Sequence, residues 1–409
     1  MSYLAYKTKL KLNNQQKTLM RQCSGYARWL WNWALDFKQK AYAENIKLNK
    51  SQLRKYYTNY VKSNYSWQSQ LSSKIYQYVF INLDEAYKRF FKGLGKYPKF
   101  KKKGKTTNSF ALDASGKPII LNGKLHKLPF FSWLKTYEKL PICSTKKITF
   151  SESAGDWYIS FFIEVDFLPT EKQRDKVGVD LGVSKLATLS CGKVFENPKA
   201  YSKAKKRLAR LQRDLSRKVY QSANWYKAKL KVQRASRKIA NLRSNVVHHL
   251  TSYLAKNHSK VILEDLNVKA LIKNRHLSKA LSDAARKAKL CQSSKTTICA
   301  TRCGMIRVQT EYKCQRYNTQ LVFAERFFPS SQLCSDCGNR QKMPLSVRVY
   351  ACKCGMKKDR DFNASLNLEN YTALAAGSVA SRSVDEVVPT PSNEADGKHQ
   401  HGAICTALS

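Results

Sequence analysis

Acidic residues are scarce in this 409-residue sequence, where 28 Asp and Glu stand against 75 Lys and Arg for a formal net charge of +47. A surplus of one sign repels itself, so we expect a polyanionic partner, and for a folded chain of this length that partner is nucleic acid. A largely disordered chain is excluded, because 43% of the residues are hydrophobic and 11% are aromatic.

Long apolar runs are also missing. No stretch approaches 18 consecutive apolar residues, so we expect no transmembrane helix and no membrane partner. The opening MSYLAYKTK holds no continuous apolar signal core, which favours a cytoplasmic protein. Thiols stay reduced in the cytoplasm, so the twelve cysteines predict metal ligands and buried thiols rather than disulfides.

Hydrophobic periodicity predicts a helical first part, a strand-rich middle and a second part with long basic helices. The predicted helices are 14–43, 50–62, 69–93 and, with a turn near 222–224, 199–257. The predicted strands are 3–12, 119–121, 147–150, 157–165, 177–183, 186–189 and 261–263. A break in composition at 169–176 marks a domain boundary, and the polar stretch from 372 onward is predicted to be disordered.

Three carboxylates stand out because they interrupt or end apolar segments. Asp180 lies in Val-Gly-Val-Asp-Leu-Gly, Glu264 ends Val-Ile-Leu-Glu, and Asp361 lies where a loop enters a helix. Each acid alone is typical of a structural cap or an ion-pair partner. Together they follow the chain order of an RNase H-like fold, in which such acids meet at one sheet edge and bind Mg²⁺ or Mn²⁺. Their neighbours Asp265 and Asp359 are competitors, with a capping or supporting role predicted for Asp359.

Four cysteines form two close pairs. Two residues separate Cys334 from Cys337, one residue separates Cys352 from Cys354, and 14 residues lie between the pairs. This arrangement is typical of a structural zinc ribbon. The C-x-C pair is tighter than the usual C-x2-C, so a damaged or metal-free site stays open as the alternative.

Lysine and arginine are concentrated in two stretches. Six of the ten residues at 96–105 are Lys, with two aromatics between them, which favours a phosphate-binding strip over a solvated loop. The stretch at 199–257 carries more cations than it can neutralise internally, which favours a groove along a duplex backbone. The predicted nucleic-acid contacts are Lys96, Tyr97, Lys99, Phe100, Lys101, Lys102, Lys103, Lys205, Lys206, Arg207, Arg210 and Arg213.

Seven motifs, by their order and spacing, resemble the TnpB family of transposon-encoded RNA-guided nucleases, relatives of the type V CRISPR effectors. They are Tyr97–Lys101, Trp157–Phe161, Gly178–Gly182, Ile262–Leu266, Arg326–Ser331, Cys334–Gly338 and Asp359–Ala364. The resemblance runs from the first strand to about residue 370.

This resemblance implies an α+β multidomain fold. An N-terminal wedge-like β-barrel would carry an inserted helical recognition lobe, and a C-terminal RNase H-like (RuvC) domain would carry an inserted zinc ribbon. The implied domains are 1–170 for the barrel with its helical insert at about 14–93, 176–328 for the first part of the nuclease, 329–357 for the zinc ribbon, 358–371 for the last part of the nuclease and 372–409 for a disordered tail.

The resemblance also implies a function. The family binds a guide RNA from its own transposon end, reads a short motif beside the target and cuts double-stranded DNA. By motif match the catalytic triad falls on Asp180, Glu264 and Asp361, which would hold Mg²⁺ or Mn²⁺ for a two-metal reaction, while the four cysteines would hold Zn²⁺. A prokaryotic, nucleoid-associated protein is expected.

Two departures from the family pattern keep a second hypothesis open. The second cysteine pair is C-x-C, and about twenty basic, Cys-bearing residues are inserted at 286–305. The alternative is therefore a catalytically impaired RNA-guided DNA-binding protein, either a repressor or a decaying copy. A strand-transferring transposase is disfavoured because no motif supports binding to transposon ends. A zinc-ribbon transcription factor would not need acids buried in strands.

Overall fold

The computed structural model describes residues 2–113, 118–128, 130–165, 170–182, 185–198, 200–265, 302–326, 328–344 and 346–371. Most of the insertion predicted at 286–305 lies outside these residues, as do the tail predicted at 372–409 and the side chain of Lys205. Among the described helices, none is both long enough and apolar enough to cross a membrane.

A six-stranded antiparallel sheet forms the strand-rich part of the chain. Its strands are β1 (Ser2–Lys11), β2 (Ser109–Asp113), β3 (Ile119–Leu128), β4 (Ser132–Thr145), β5 (Lys147–Ser153) and β6 (Asp156–Val165), in the order β2-β5-β6-β1-β4-β3. Alternating side chains such as Trp157, Ile159 and Phe161 bury one face of this sheet. Within the described residues β2 and β3 remain unpaired edges, so the sheet is a half-barrel where a barrel was predicted.

Three helices are inserted between β1 and β2, namely α1 (Asn14–Ala43), α2 (Lys50–Tyr56) and α3 (Ser73–Phe91). Asn13 and Asn49 begin α1 and α2 with reciprocal capping boxes. The α-helix predicted at 50–62 ends at Tyr56, because the chain widens into a π turn at 57–61 and then tightens into a 3₁₀ turn at 62–64. The helix predicted at 69–93 begins only at Ser73, where the Ser72 hydroxyl caps it.

A mixed five-stranded sheet forms the second part. Its strands are β7 (Arg174–Asp180), β8 (Lys185–Leu189), β9 (Val194–Glu196), β10 (His258–Glu264) and β11 (Gln320–Ala324), in the order β11-β10-β7-β8-β9. Strand β8 runs antiparallel to its neighbours β7 and β9, while β10 and β11 run parallel to β7. The strand predicted at 177–183 starts and ends three residues earlier, because Gly182 N–H already donates to Leu186 O in the turn toward β8.

Helices cover both faces of this mixed sheet. They are α5 (Ala223–Asn257), α6 (Arg302–Arg316) and α7 (Arg360–Glu369), whereas α4 (Ala200–Ser216) packs against α5. The predicted turn is confirmed, since Ser222 caps α5. Leu250 and Leu254 of α5 and Ile306 of α6 share a core with β7 and β10, whereas Leu368 of α7 packs against Ile262 from the other face.

The two sheets are linked by α5, which lies against the β5–β6 hairpin. The Arg237 guanidinium donates to Ser153 O and to an Asp156 carboxylate oxygen, both at 2.5 Å. A second cation, Lys9 of β1, lies 3.0 Å from the same Asp156 carboxylate. The half-barrel and α5 of the second part are thus joined through the partly buried Arg237–Asp156 ion pair.

Candidate active site and metal centre

Parallel pairing of β7 with β10 places Asp180 beside Glu264. Ile262 pairs with Gly178 and Leu263 with Val179, so the next residue on each strand is an acid. Both acids therefore end neighbouring strands at the same sheet edge. The apolar residues before them are fully buried, which fixes both strand ends against the core.

Asp361 comes to this edge from the first turn of α7. The helix lies so close to β7 that a Cβ added to Gly178 would lie 2.0 Å from Ser365 O. At its other end α7 is tied to β7 by Arg174, which donates to Glu369 at 2.9 Å. The absence of a side chain at Gly178 therefore allows the approach that brings Asp361 toward Asp180.

The three acids interact electrostatically. Burial raises the pKa of Asp180 well above its ordinary value, and the nearby charges of Glu264 and Asp361 raise it further, while Arg360 opposes them. Burial also raises the pKa of Glu264, although a hydrogen bond from the Ser330 hydroxyl at 2.5 Å works in the opposite direction. A bound cation would relieve this repulsion between like charges.

The two competing acids have structural partners. Asp265 accepts hydrogen bonds from Arg307 at 2.5 Å and from Arg326 at 3.1 Å. Asp359 is the N-cap of α7 and accepts from the backbone N–H groups of Asp361 and of the residue after it. The capping role predicted for Asp359 is therefore confirmed.

Oxygen donors from three carboxylates are the ligand type that Mg²⁺ and Mn²⁺ prefer. These acids are spaced more widely than the thiols described below. In the described part of the chain, only the four ribbon cysteines form a group of three or more His, Cys, Asp or Glu ligand atoms within 4.8 Å of one another. The donor type and the raised pKa of Asp180 both fit a divalent cation at this edge.

The four predicted cysteines converge into one cluster. Their sulfur atoms all lie within 4.8 Å of one another, with 3.7 Å between Cys334 and Cys354 and 3.5 Å between Cys337 and Cys352. A tetrahedral zinc site with Zn–S bonds of about 2.3 Å has sulfur–sulfur edges of about 3.8 Å. The cluster could therefore hold a zinc ion.

The tight C-x-C pair is accommodated by a turn between β12 (Val349–Ala351) and β13 (Lys357–Asp359). Gly355 N–H donates to Cys352 O at 3.0 Å, and Gly355 adopts a φ of 90°, which favours glycine. The backbone N–H of Cys354 lowers the pKa of Cys352 to about 6, which favours the thiolate that metals bind. The turn thus lets both sulfurs of the short pair face the cluster.

The strip predicted at 96–105 divides into packed and exposed residues. Lys101 Nζ lies 3.7 Å from the centroid of the Trp31 ring, and burial lowers the pKa of Lys101 to about 8. The Tyr97 hydroxyl lies 3.1 Å from that of Tyr87. Lys101 therefore departs from the predicted strip, because its cation packs on the core. The exposed members are Lys96, Tyr97, Lys99, Phe100, Lys102, Lys103 and Lys105.

The basic residues predicted on α4 are exposed wherever their side chains are described. Lys206, Arg207, Arg210 and Arg213 have no carboxylate partner among the described residues. They supply a row of uncompensated positive charge on one helix.

Three polar residues around the acids were not predicted. Ser330, Asn363 and Asn367 are buried and hydrogen-bonded between the acids and the cysteines. A sequence signal exists for the asparagines, because they lie four residues apart on a helix that is otherwise largely apolar on that side. Ser330 has no comparable signal, since it lies in an irregular segment after β11.

Comparisons with known proteins agree with these features. Sequence models match the chain over 158–275 ("Probable transposase"), 293–368 ("Cas12f1-like, TNB domain") and 1–47 ("Helix-turn-helix domain"). A cryo-EM structure of a Cas12f1–sgRNA–target DNA complex has a similar fold, with a TM-score of 0.51 at 12% identity over 88% of this chain and 84% of that chain.

Two relatives are similar over nearly their whole length. A Streptomyces pristinaespiralis protein named as an RNA-guided DNA endonuclease is 33% identical over 407 residues, which cover 96% of this chain and 94% of that protein. InsQ of Escherichia coli (strain K12), named in the same way, is 32% identical over 381 residues, which cover 91% of this chain and 94% of InsQ. The chain therefore belongs to the TnpB family of transposon-encoded RNA-guided nucleases.

Proposed function

We propose that this chain is an RNA-guided endonuclease that cuts double-stranded DNA beside a short target-adjacent motif, using a guide RNA from its transposon end. The observation that carries the catalytic part is the meeting of Asp180, Glu264 and Asp361, from three separate segments, at one edge of the mixed sheet. The strand order, antiparallel on one side of β7 and parallel on the other, supports an RNase H-like (RuvC-like) domain.

The domain assignment follows from this proposal. Residues 1–170 would form the wedge-like domain with its helical recognition insert, and 176–328 and 358–371 would form the nuclease. The ribbon at 329–357 would be a structural zinc site held by the four cysteines, because four filled ligand positions leave none for water or substrate.

In this proposal the acids act as ligands rather than as acid–base groups. Asp180, Glu264 and Asp361 would hold Mg²⁺ or Mn²⁺, which in a two-metal reaction would activate a water and stabilise the leaving oxygen of the phosphodiester. Asp180 would act as a ligand together with the other two acids, because the charges of both Glu264 and Asp361 act on its carboxylate. Ser330 would hold one Glu264 oxygen and so orient the other.

Nucleic acid would bind along the basic surfaces. The exposed lysines at 96–103 and the cations of α4 carry no compensating acids and could contact phosphates without sequence preference. A cleft of about 470 Å³ between α1, the β5–β6 hairpin and α5 adds Lys105 and Lys229 beside the exposed ring of Tyr226, while Arg21 in the same cleft pairs with Glu152 at 4.0 Å. Cations beside an exposed aromatic ring are typical of single-strand binding.

A cleavage screen tests the function. The protein would be expressed with its flanking DNA, the co-purified RNA sequenced, and the complex offered a library randomised beside a guide-matched target. We expect cleavage that requires Mg²⁺ and selects one short motif. Bound RNA and bound target without any cutting would instead favour the catalytically impaired RNA-guided binder.

A further inference from the structure

Two asparagine side chains of α7 bind the segment that carries the first cysteine pair. Asn363 and Asn367 lie one helical turn apart and share a face. Both side-chain amides donate to Leu333 O, at 2.6 and 2.7 Å. The Asn363 oxygen also accepts from Ser335 N–H at 3.0 Å. Since Leu333 and Ser335 flank Cys334, α7 holds this member of the thiol cluster from both sides.

The same segment reaches the acids. Asn367 donates to Ser330 O at 2.7 Å, and the Ser330 hydroxyl donates to Glu264 at 2.5 Å. Ser330 is 4% exposed, Asn363 0% and Asn367 7%, so water competes little for these bonds. Asp361 precedes Asn363 by two residues on the same helix. Hydrogen bonds of these buried side chains therefore connect the segment around Cys334 to Glu264, and the same helix carries Asp361 in its first turn.

We propose that Asn363 and Asn367 are positioning residues that couple metal binding by the four cysteines to metal binding by Glu264 and Asp361. This inference rests on the proposed function, in which the acids bind a divalent cation. Zinc fixes the segment around Cys334, and the asparagines transmit that restraint to the first turn of α7 and to the Ser330–Glu264 bond. Because such coupling is reciprocal, a cation at the acids strengthens zinc binding by the same factor.

The test measures Mn²⁺ affinity of the full-length chain from the electron paramagnetic resonance signal of free Mn²⁺. Affinity is compared between zinc-loaded protein and protein stripped of zinc with a thiol-competing chelator that is then removed. We expect zinc loss to weaken Mn²⁺ binding about tenfold, within the usual range for coupled sites. Mn²⁺ prefers oxygen ligands, so it reports on the carboxylates rather than on the thiols.

The double variant Asn363→Ala/Asn367→Ala separates coupling from folding. We expect it to keep zinc, to bind Mn²⁺ about tenfold more weakly than the zinc-loaded wild type, and to lose no further affinity when zinc is removed. The matched control is Asn370→Ala, at the exposed end of the same helix, which should keep both the wild-type affinity and its dependence on zinc.

Equal Mn²⁺ affinity with and without zinc in the wild type would overturn the inference, as would a double variant that keeps the full dependence. If circular dichroism shows that the double variant does not fold, Ser330→Ala is measured in its place. This substitution removes only the Ser330 hydroxyl that donates to Glu264. Weaker Mn²⁺ binding in Ser330→Ala, restored in Ser330→Thr, would support the coupling, and wild-type binding would oppose it. If Asp180→Asn binds as much Mn²⁺ as the wild type, or if neither protein binds it, the result would instead contradict the proposed function itself.

Discussion

Gly178 of β7 lies so close to Ser365 of α7 that a Cβ on the glycine would lie 2.0 Å from the Ser365 carbonyl oxygen and 2.3 Å from the backbone nitrogen of Glu369. Both contacts involve backbone atoms, which cannot rotate away as a flexible side chain could. The distance between this strand and this helix thus depends on the glycine. It also sets how near Asp361 can come to Asp180.

Gly178→Ala is therefore expected to push α7 away from the sheet. Overpacking of this kind costs about 1–3 kcal/mol or more of unfolding free energy. Urea unfolding should show that loss of unfolding free energy. The cleavage rate should fall by more than the loss of folded protein explains, because Asp361 is displaced. The matched control is Gly25→Ala within α1, where the nearest atom lies 3.9 Å from the new Cβ and where alanine should stabilise the helix by up to about 1 kcal/mol. A Gly178→Ala variant as stable as wild type would contradict the close packing.

The burial of Asp180, together with repulsion from Glu264 and Asp361, predicts a pH-dependent stability in the absence of metal. The pKa of Asp180 is raised in the folded state, so the folded chain holds this proton where the unfolded chain, with an Asp pKa near 3.9, has lost it. Stability in EDTA should then fall as pH rises above about 4 toward the raised pKa. Thermal unfolding between pH 5 and 8 measures this slope.

Asp180→Asn should flatten that slope and raise the metal-free stability at pH 7.5, because the amide has no charge to bury beside Glu264 and Asp361. Exposed Asp175 on the same strand provides the control, and Asp175→Asn should leave the slope unchanged. The same slope in Asp180→Asn as in wild type would count against a repulsive acid cluster.

Zinc removal should loosen the ribbon. Cys354→Ser deletes one of four converging thiols, so we expect the bound zinc to drop from one per chain to none and Cys334–Gly338 to become accessible to protease. Cys143→Ser, on β4 and outside the cluster, should keep its zinc. Elemental analysis of purified protein gives the zinc content. A wild-type chain without zinc would contradict the assignment.

The lysines at 101–103 should separate into two classes. Lys102→Ala or Lys103→Ala should weaken nucleic-acid binding and reduce the slope of log K against log salt by about one, without loss of stability. Lys101→Ala should destabilise the fold because it removes the cation packed on Trp31. Binding titrations at several salt concentrations, with thermal unfolding alongside, distinguish the classes. Equal effects of all three substitutions on stability would contradict the division.

The acids and cysteines could be predicted as site residues from the sequence, because these residue types stand out from the residues around them. An acid at the end of an apolar strand, as at Glu264, points to a site only together with the other two acids, whereas two close Cys pairs are by themselves typical of a metal site. Local sequence patterns did not predict the structure where contacts between distant parts of the chain determine it. The helix predicted at 50–62 gives way to a π turn, where Tyr57 is buried against Tyr26. Ser330 and Lys101 have roles set by residues far away in the chain, which periodicity cannot indicate.

The central claim is that Asp180, Glu264 and Asp361 form one metal-dependent cutting centre. The most direct measurement compares cleavage and binding of a guide-matched target by wild type, Asp180→Asn, Glu264→Gln and Asp361→Asn in Mg²⁺. Each substitution should lower the cleavage rate by about 1,000-fold or more, because metal-held charge stabilisation contributes several kcal/mol, while guide and target binding remain. Cleavage at the wild-type rate by any one of the three variants would contradict the account.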